Sequence, residues 1–78
     1  MSKQFNGHKN WNHWNVSLWL NNDEGLYNIA RSFCRAYRNN KLAGAMAMLN
    51  ELKDAGITKT PDGAPYSVSS IRAAMVDM

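Results

Sequence analysis

One cysteine, Cys34, is too few for an internal disulfide, so nothing covalent can staple this chain. Prolines number two and glycines five, which leaves long stretches free for regular structure. No apolar run approaches the roughly 20 residues of a membrane span. Met1 to Asn10 is polar, unlike a secretory signal, so a cytoplasmic protein is expected. Acidic residues are scarce, six against nine lysines and arginines. No Gly-rich phosphate loop occurs, since Gly44 and Gly56 are isolated and no Lys-Ser/Thr pair follows either. At 78 residues the chain makes one domain. A chain this short buries only about 60% of its unfolded surface. That argues against an enzyme with a deep, dry active site and for a binding module, an inhibitor or an oligomer subunit.

What the chain has is aromatic and basic. It is 45% hydrophobic, with three Trp, three Tyr and two Phe, too rich for a disordered tail. The net charge is +3. Residues 1–41 carry +4 and residues 42–78 carry −1, so the positive charge sits in the first half. Such asymmetry suits an acidic partner, whether a protein or a nucleic acid.

The periodicity predicts an all-α fold, a small single-domain bundle of three to four short helices over residues 11–78 behind a polar arm, 1–10. Residues 11–20 read either as a helix with Trp11, Trp14 and Leu18 on one face or as a strand. Helix is favoured because no second strand is available to pair. Trp19 falls off that face and is expected to be exposed. Asn22 or Asp23 can cap the next helix. Its stripe is Leu26, Ile29, Ala30, Phe33 and Tyr37, and Arg31, Arg35 and Arg38 fall opposite. Asn39-Asn40 is expected to end it. A third helix, about Lys41 to Ala55, has Leu42, Ala45, Met46, Leu49 and Leu52 as its stripe, with Gly56 after its end. Pro61-Asp62-Gly63 is a turn with an Asx-type bond. Ser67 caps a last helix through Met75, with Val68, Ile71 and Met75 inward. Ten asparagines are many for a helical protein, and several stand at these boundaries, where Asn caps.

No motif supports catalysis. His8 and His13 lack further zinc ligands at fixed spacing, and Cys34 lies on another helix. Glu51 and Asp54 flank Lys53 as on an ordinary solvated face. No cofactor, metal or membrane contact is expected. The features out of proportion are the tryptophans and the arginine row. Arg31, Arg35 and Arg38 stand at i, i+4 and i+7, with Lys41 just beyond. Such a row can grip phosphates or an acidic protein surface. Trp19 is a candidate aromatic anchor, since Trp and Arg dominate interface hot spots.

Two resemblances add context. Trp11-x-x-Trp14-Asn15-Val16-x-Leu18-Trp19-x-x-Asn22-Asp23-Glu24-x-Leu26-Tyr27, with Thr60-Pro61-Asp62-Gly63-x-x-Tyr66, resembles a family of small uncharacterised proteins encoded by bacteriophages and mobile elements. It implies an accessory protein that acts stoichiometrically on host machinery, such as restriction or CRISPR complexes. Leu49 to Thr58, Thr60 to Gly63 and Tyr66-Ser67-x-Ser69-Ser70-Ile71-Arg72 are similar to a helix–loop–helix stretch in the DNA-binding regions of large serine recombinases. The chain departs from that pattern in charge: Asp62 stands where a basic residue is usual, and Arg72 alone is basic after Lys59. The expectation is a non-enzymatic phage-type protein that blocks a host protein or ribonucleoprotein through Arg31, Arg35, Arg38, Lys41 and Trp19. The alternative is a small helix-turn-helix-like DNA-binding protein using Lys59, Ser67, Ser69, Ser70 and Arg72. A third is a homo-oligomer subunit that pairs through its first helix.

Overall fold

A computed structural model describes residues 10–76 and 78. The chain folds as four helices: α1 (Trp11–Asn22), α2 (Glu24–Ala36), α3 (Lys41–Asp54) and α4 (Val68–Met75). The expected all-α architecture is the observed one. Residues 11–20 are helical, and the strand alternative is overturned. The arm assigned to residues 1–10 lies outside the described residues except for Asn10, which caps α1 by accepting the His13 N–H.

Polar side chains set most of the boundaries. Asp23 is the single residue between α1 and α2. Its N–H donates to the Trp19 carbonyl, closing α1, and its carboxylate accepts the Leu26 N–H, opening α2. One extended residue thereby turns the chain and satisfies groups at both helix ends. Asn40 does not end α2 as expected. Its side chain accepts the Ala43 N–H and opens α3, while α2 stops at Ala36. Gly56 ends α3 with φ +78, and the Gly56 and Ile57 N–H groups return to Lys53 and Leu52. That bonding is a Schellman cap, which requires a left-handed residue at this position. Ser67 and Ser70 form a reciprocal capping box at the start of α4.

α4 packs mainly on α1 and α3, and α2 packs on α1 and α3 from the other side. The core is Val16 and Leu20 of α1, Ala30 and Cys34 of α2, Ala45, Met48 and Leu52 of α3, and Ile71, Ala74 and Met75 of α4, closed by Ala64 and Tyr66. Two expected stripes are rolled. On α3, Met48 is fully buried, while Leu42 and Met46 are half exposed, at 50% and 52%. Apolar residues surround α3 almost completely, so its periodicity could not decide which side faces inward. Gly44 faces α2: a Cβ there would lie 3.3 Å from the Tyr37 Cβ and 3.4 Å from the Phe33 carbonyl oxygen. On α2, Cys34 is buried instead of Ile29 and Tyr37, which lie at the surface.

The tryptophans also reverse their expected places. α1 buries Asn15, Val16 and Leu20, so the line through Trp11, Trp14 and Leu18 is not its inner face. Trp11 is exposed. Trp19, expected outside, is half buried against the 57–66 loop. Its indole N–H donates to Asp62 Oδ2 at 2.9 Å. Asn15 Nδ2 donates to the same oxygen at 2.9 Å, and Asn15 Oδ1 accepts from Thr60 Oγ1 at 2.6 Å. Thr60 Oγ1 accepts the Ala64 N–H, and the Thr60 N–H donates to the Ala64 carbonyl. The Pro-Asp-Gly turn is present, with Gly63 at φ +96, but Asp62 is spent on α1 rather than on an Asx bond.

Candidate functional site

The basic residues divide by what already holds them. Arg31 is half buried on α2, its Cζ 5.7 Å from the Tyr27 ring centroid. Its Nη1 donates to the Tyr27 hydroxyl at 3.0 Å, which fixes the guanidinium along the helix surface. Lys41 Nζ donates to the carbonyls of Met75 and Val76 at 2.8 and 3.1 Å. It is a C-terminal cap for α4, where a cation also complements the helix dipole. Two of its three N–H donors are thereby engaged in holding α4 to α3. Arg35 and Arg38 are exposed, and neither makes a hydrogen bond or ion pair among the described residues.

Arg31, Arg35 and Arg38 do come together, as the spacing predicts. With Cys34 and Met78 they line an open hollow of about 190 Å³. Cys34, 8% exposed, contributes to its apolar part. Burial pushes the Cys34 thiol above its ordinary value, against the opposing pull of the Lys41 and Arg31 charges. The thiol is therefore a small buried apolar group, not an activated nucleophile. Three guanidiniums around a shallow hollow can offer paired N–H donors to a carboxylate or phosphate.

Trp19 does not join this site. Its polar atom is bonded to Asp62, which removes it as an exposed anchor. The alternative set is likewise divided. Ser67 and Ser70 are committed to the α4 capping box, and Ser70 is fully buried. Ser69 Oγ lies 3.0 Å from His13 Nε2, tying α4 to α1. Lys59 and Arg72 remain exposed. Among the described residues no group of three or more His, Cys, Asp or Glu is placed to hold a metal, and no helix is long and apolar enough to cross a membrane.

Sequence reasoning missed two things here: that Lys41 caps α4, and that Cys34 lies at the hollow. Both depend on where α4 ends in space, and no local pattern encodes that.

Fold and surface together define a small four-helix protein with a basic hollow on its second helix. The whole chain, residues 1–78, matches the model of a family described as a family of unknown function, DUF7249, and the chain belongs to that family. No curated protein matches the chain, and no solved structure does.

Proposed function

We propose that this is a non-enzymatic binding protein whose α2 basic face docks on an acidic surface of a host protein or ribonucleoprotein. The observation that carries this reading is the hollow of Arg31, Arg35 and Arg38, in which two guanidiniums have no partner among the described residues. Unpaired arginines held on a rigid helix keep their donors free for carboxylates or phosphates. A positive face also speeds encounter with an acidic partner. Resemblance to phage-type accessory proteins supports a concrete form: an inhibitor of host defence, such as a CRISPR or restriction complex, acting in the bacterial cytoplasm without a cofactor. Commitment of Ser67 and Ser70 to capping argues against α4 as a DNA-reading helix.

The test is a pull-down from bacterial lysate, run with and without DNase, comparing wild type with an Arg35→Ser/Arg38→Ser variant. A discrete protein or ribonucleoprotein retained by wild type and lost by the variant is expected. Equal retention by both overturns the contact face. Recovery of DNase-sensitive material alone moves the reading to DNA binding, whose affinity would fall steeply with salt.

A further inference from the structure

A second, larger depression lies elsewhere on α2. Ile29 and Arg31 are two positions apart, about 160° round the helix, so this surface is separate from the basic hollow. It is an open groove of about 460 Å³ between the first turns of α2 and the 57–66 loop. Leu26, Ile29, Ile57, Pro61 and Tyr66 supply its apolar wall, and Asp23 and Lys59 are its charged residues. Its volume falls within the roughly 300–1,000 Å³ typical of small-molecule sites, and its apolar lining with few polar groups is the usual character of one.

Tyr66 gives the groove a polar handle. It is only 7% exposed, and its hydroxyl makes no hydrogen bond among the described residues. The other buried polar residues, Asn15, Thr60 and Ser70, are all hydrogen-bonded. The Tyr66 ring is buried while its hydroxyl is reached by solvent, so the groove wall presents a donor rather than an orphaned buried group. The Tyr66 N–H donates to the Thr58 carbonyl, so the residue is held in the groove wall by its backbone. Burial and the nearby Asp23 charge push the phenol above its ordinary value, so it stays a protonated donor. The charges favour one sign of ligand. Lys59 is exposed with no partner among the described residues. The Asp23 carboxylate already accepts the Leu26 N–H at the positive end of the α2 dipole.

We propose that this groove binds a small apolar anion. Its aromatic or branched body lies over Leu26, Ile29 and Ile57, its polar end accepts from the Tyr66 hydroxyl, and Lys59 neutralises its charge. The inference is independent of the basic face.

The test titrates the full chain with 1-anilinonaphthalene-8-sulfonate, an apolar fluorescent anion, and with its neutral analogue N-phenyl-1-naphthylamine. Saturable one-to-one binding of the anion is expected, with the neutral dye several-fold weaker. Tyr66→Phe removes a hydroxyl to which no group among the described residues bonds. It should melt at or above the wild-type temperature yet bind the anion about five- to tenfold more weakly, the scale of one hydrogen bond. Ile29→Glu at the surface, and Lys59→Glu, should each abolish binding, while Arg35→Ser/Arg38→Ser should leave it unchanged. Absence of saturable binding overturns the proposal. So does equal affinity for the neutral dye, unchanged affinity in Tyr66→Phe, or loss only in the arginine variant, which would place the dye in the basic hollow.

Discussion

Asn15 spends both ends of one side chain on the 57–66 loop, donating to Asp62 and accepting from Thr60. A buried amide with both ends paired is stabilising, and removing it strands its partners. Asn15→Ala should therefore cost about 1–3 kcal/mol, measured by urea unfolding. A variant as stable as wild type would mean the loop does not depend on this pair. Asp62 adds a pH dependence. The Asn15 bond, then the Trp19 bond, hold its carboxyl below the ordinary value. A carboxyl lowered on folding binds its proton more weakly in the native state. Its contribution is therefore present above the unfolded pKa of roughly 4 and lost as the pH falls through the lower folded value. Wild type should lose more melting temperature between pH 5 and pH 2.5 than Asp62→Asn, whose amide oxygen can still accept. Parallel pH curves for the two proteins would contradict this. At Cys34, burial and the raised thiol value should make alkylation by iodoacetamide at pH 8 far slower in the native protein than in denaturant. Equal rates would contradict the burial.

The elements show how far periodicity reaches. α2 carries a clear stripe, and reading it brought the arginines together, although Cys34 turns inward among them and Ile29 and Tyr37 lie at the surface. α3 carries Leu, Ala, Gly and Met on nearly every side, and there the inward face was misjudged. The structure turns Met48 to the core and leaves Leu42 and Met46 half exposed. Met48→Ala should cost about 2–5 kcal/mol, and Leu42→Glu should stay within about 0.5 kcal/mol of wild type. Urea midpoints in the opposite order would restore the stripe read from the sequence. Gly44 explains the roll. Its missing side chain lets the Phe33–Tyr37 end of α2 approach, and the close contact orients α3. Smallness at residues 43–47 announced a close crossing, but not which of the small residues would sit at it. Caps were more legible than faces. Asp23, Gly56 and Ser67 act where a local reading put them, because a cap needs only its own helix end. Asn40 was assigned to the wrong neighbour, since an Asn between two helices can serve either.

At the scale of the molecule, the +3 net charge comes from the first half of the chain, which includes the α2 arginines. Lys41 sits on α4's terminal carbonyls, and Arg35 and Arg38 make no hydrogen bond or ion pair among the described residues. Arg35→Ser/Arg38→Ser should keep the wild-type melting temperature, because neither side chain bonds to the fold. Lys41→Met should melt lower, because it removes two bonds from the α4 terminus. Equal melting temperatures for these variants would undo the division between structural and free cations. The Cα radius of gyration, 11.8 Å, is close to the roughly 11.5 Å expected of a compact chain of this length.

What the amino-acid sequence determined by itself is local: the last three helices, most of their ends, the Pro-Asp-Gly turn and an arginine row on one face, with helix only favoured over strand for residues 11–20. Helix periodicity, capping and turn chemistry act over a few residues, so a few residues suffice to read them. Tertiary structure decided which side of α1 and α3 faces inward, that Trp19 and Asn15 hold Asp62 across more than forty residues, that Lys41 is a cap, and that Tyr66 stands beside an open groove. Those outcomes depend on which chain-distant surfaces meet. α1 is apolar on more than one side and α3 on nearly every side, so each offers several nearly equivalent faces, and only packing against the other helices selects among them.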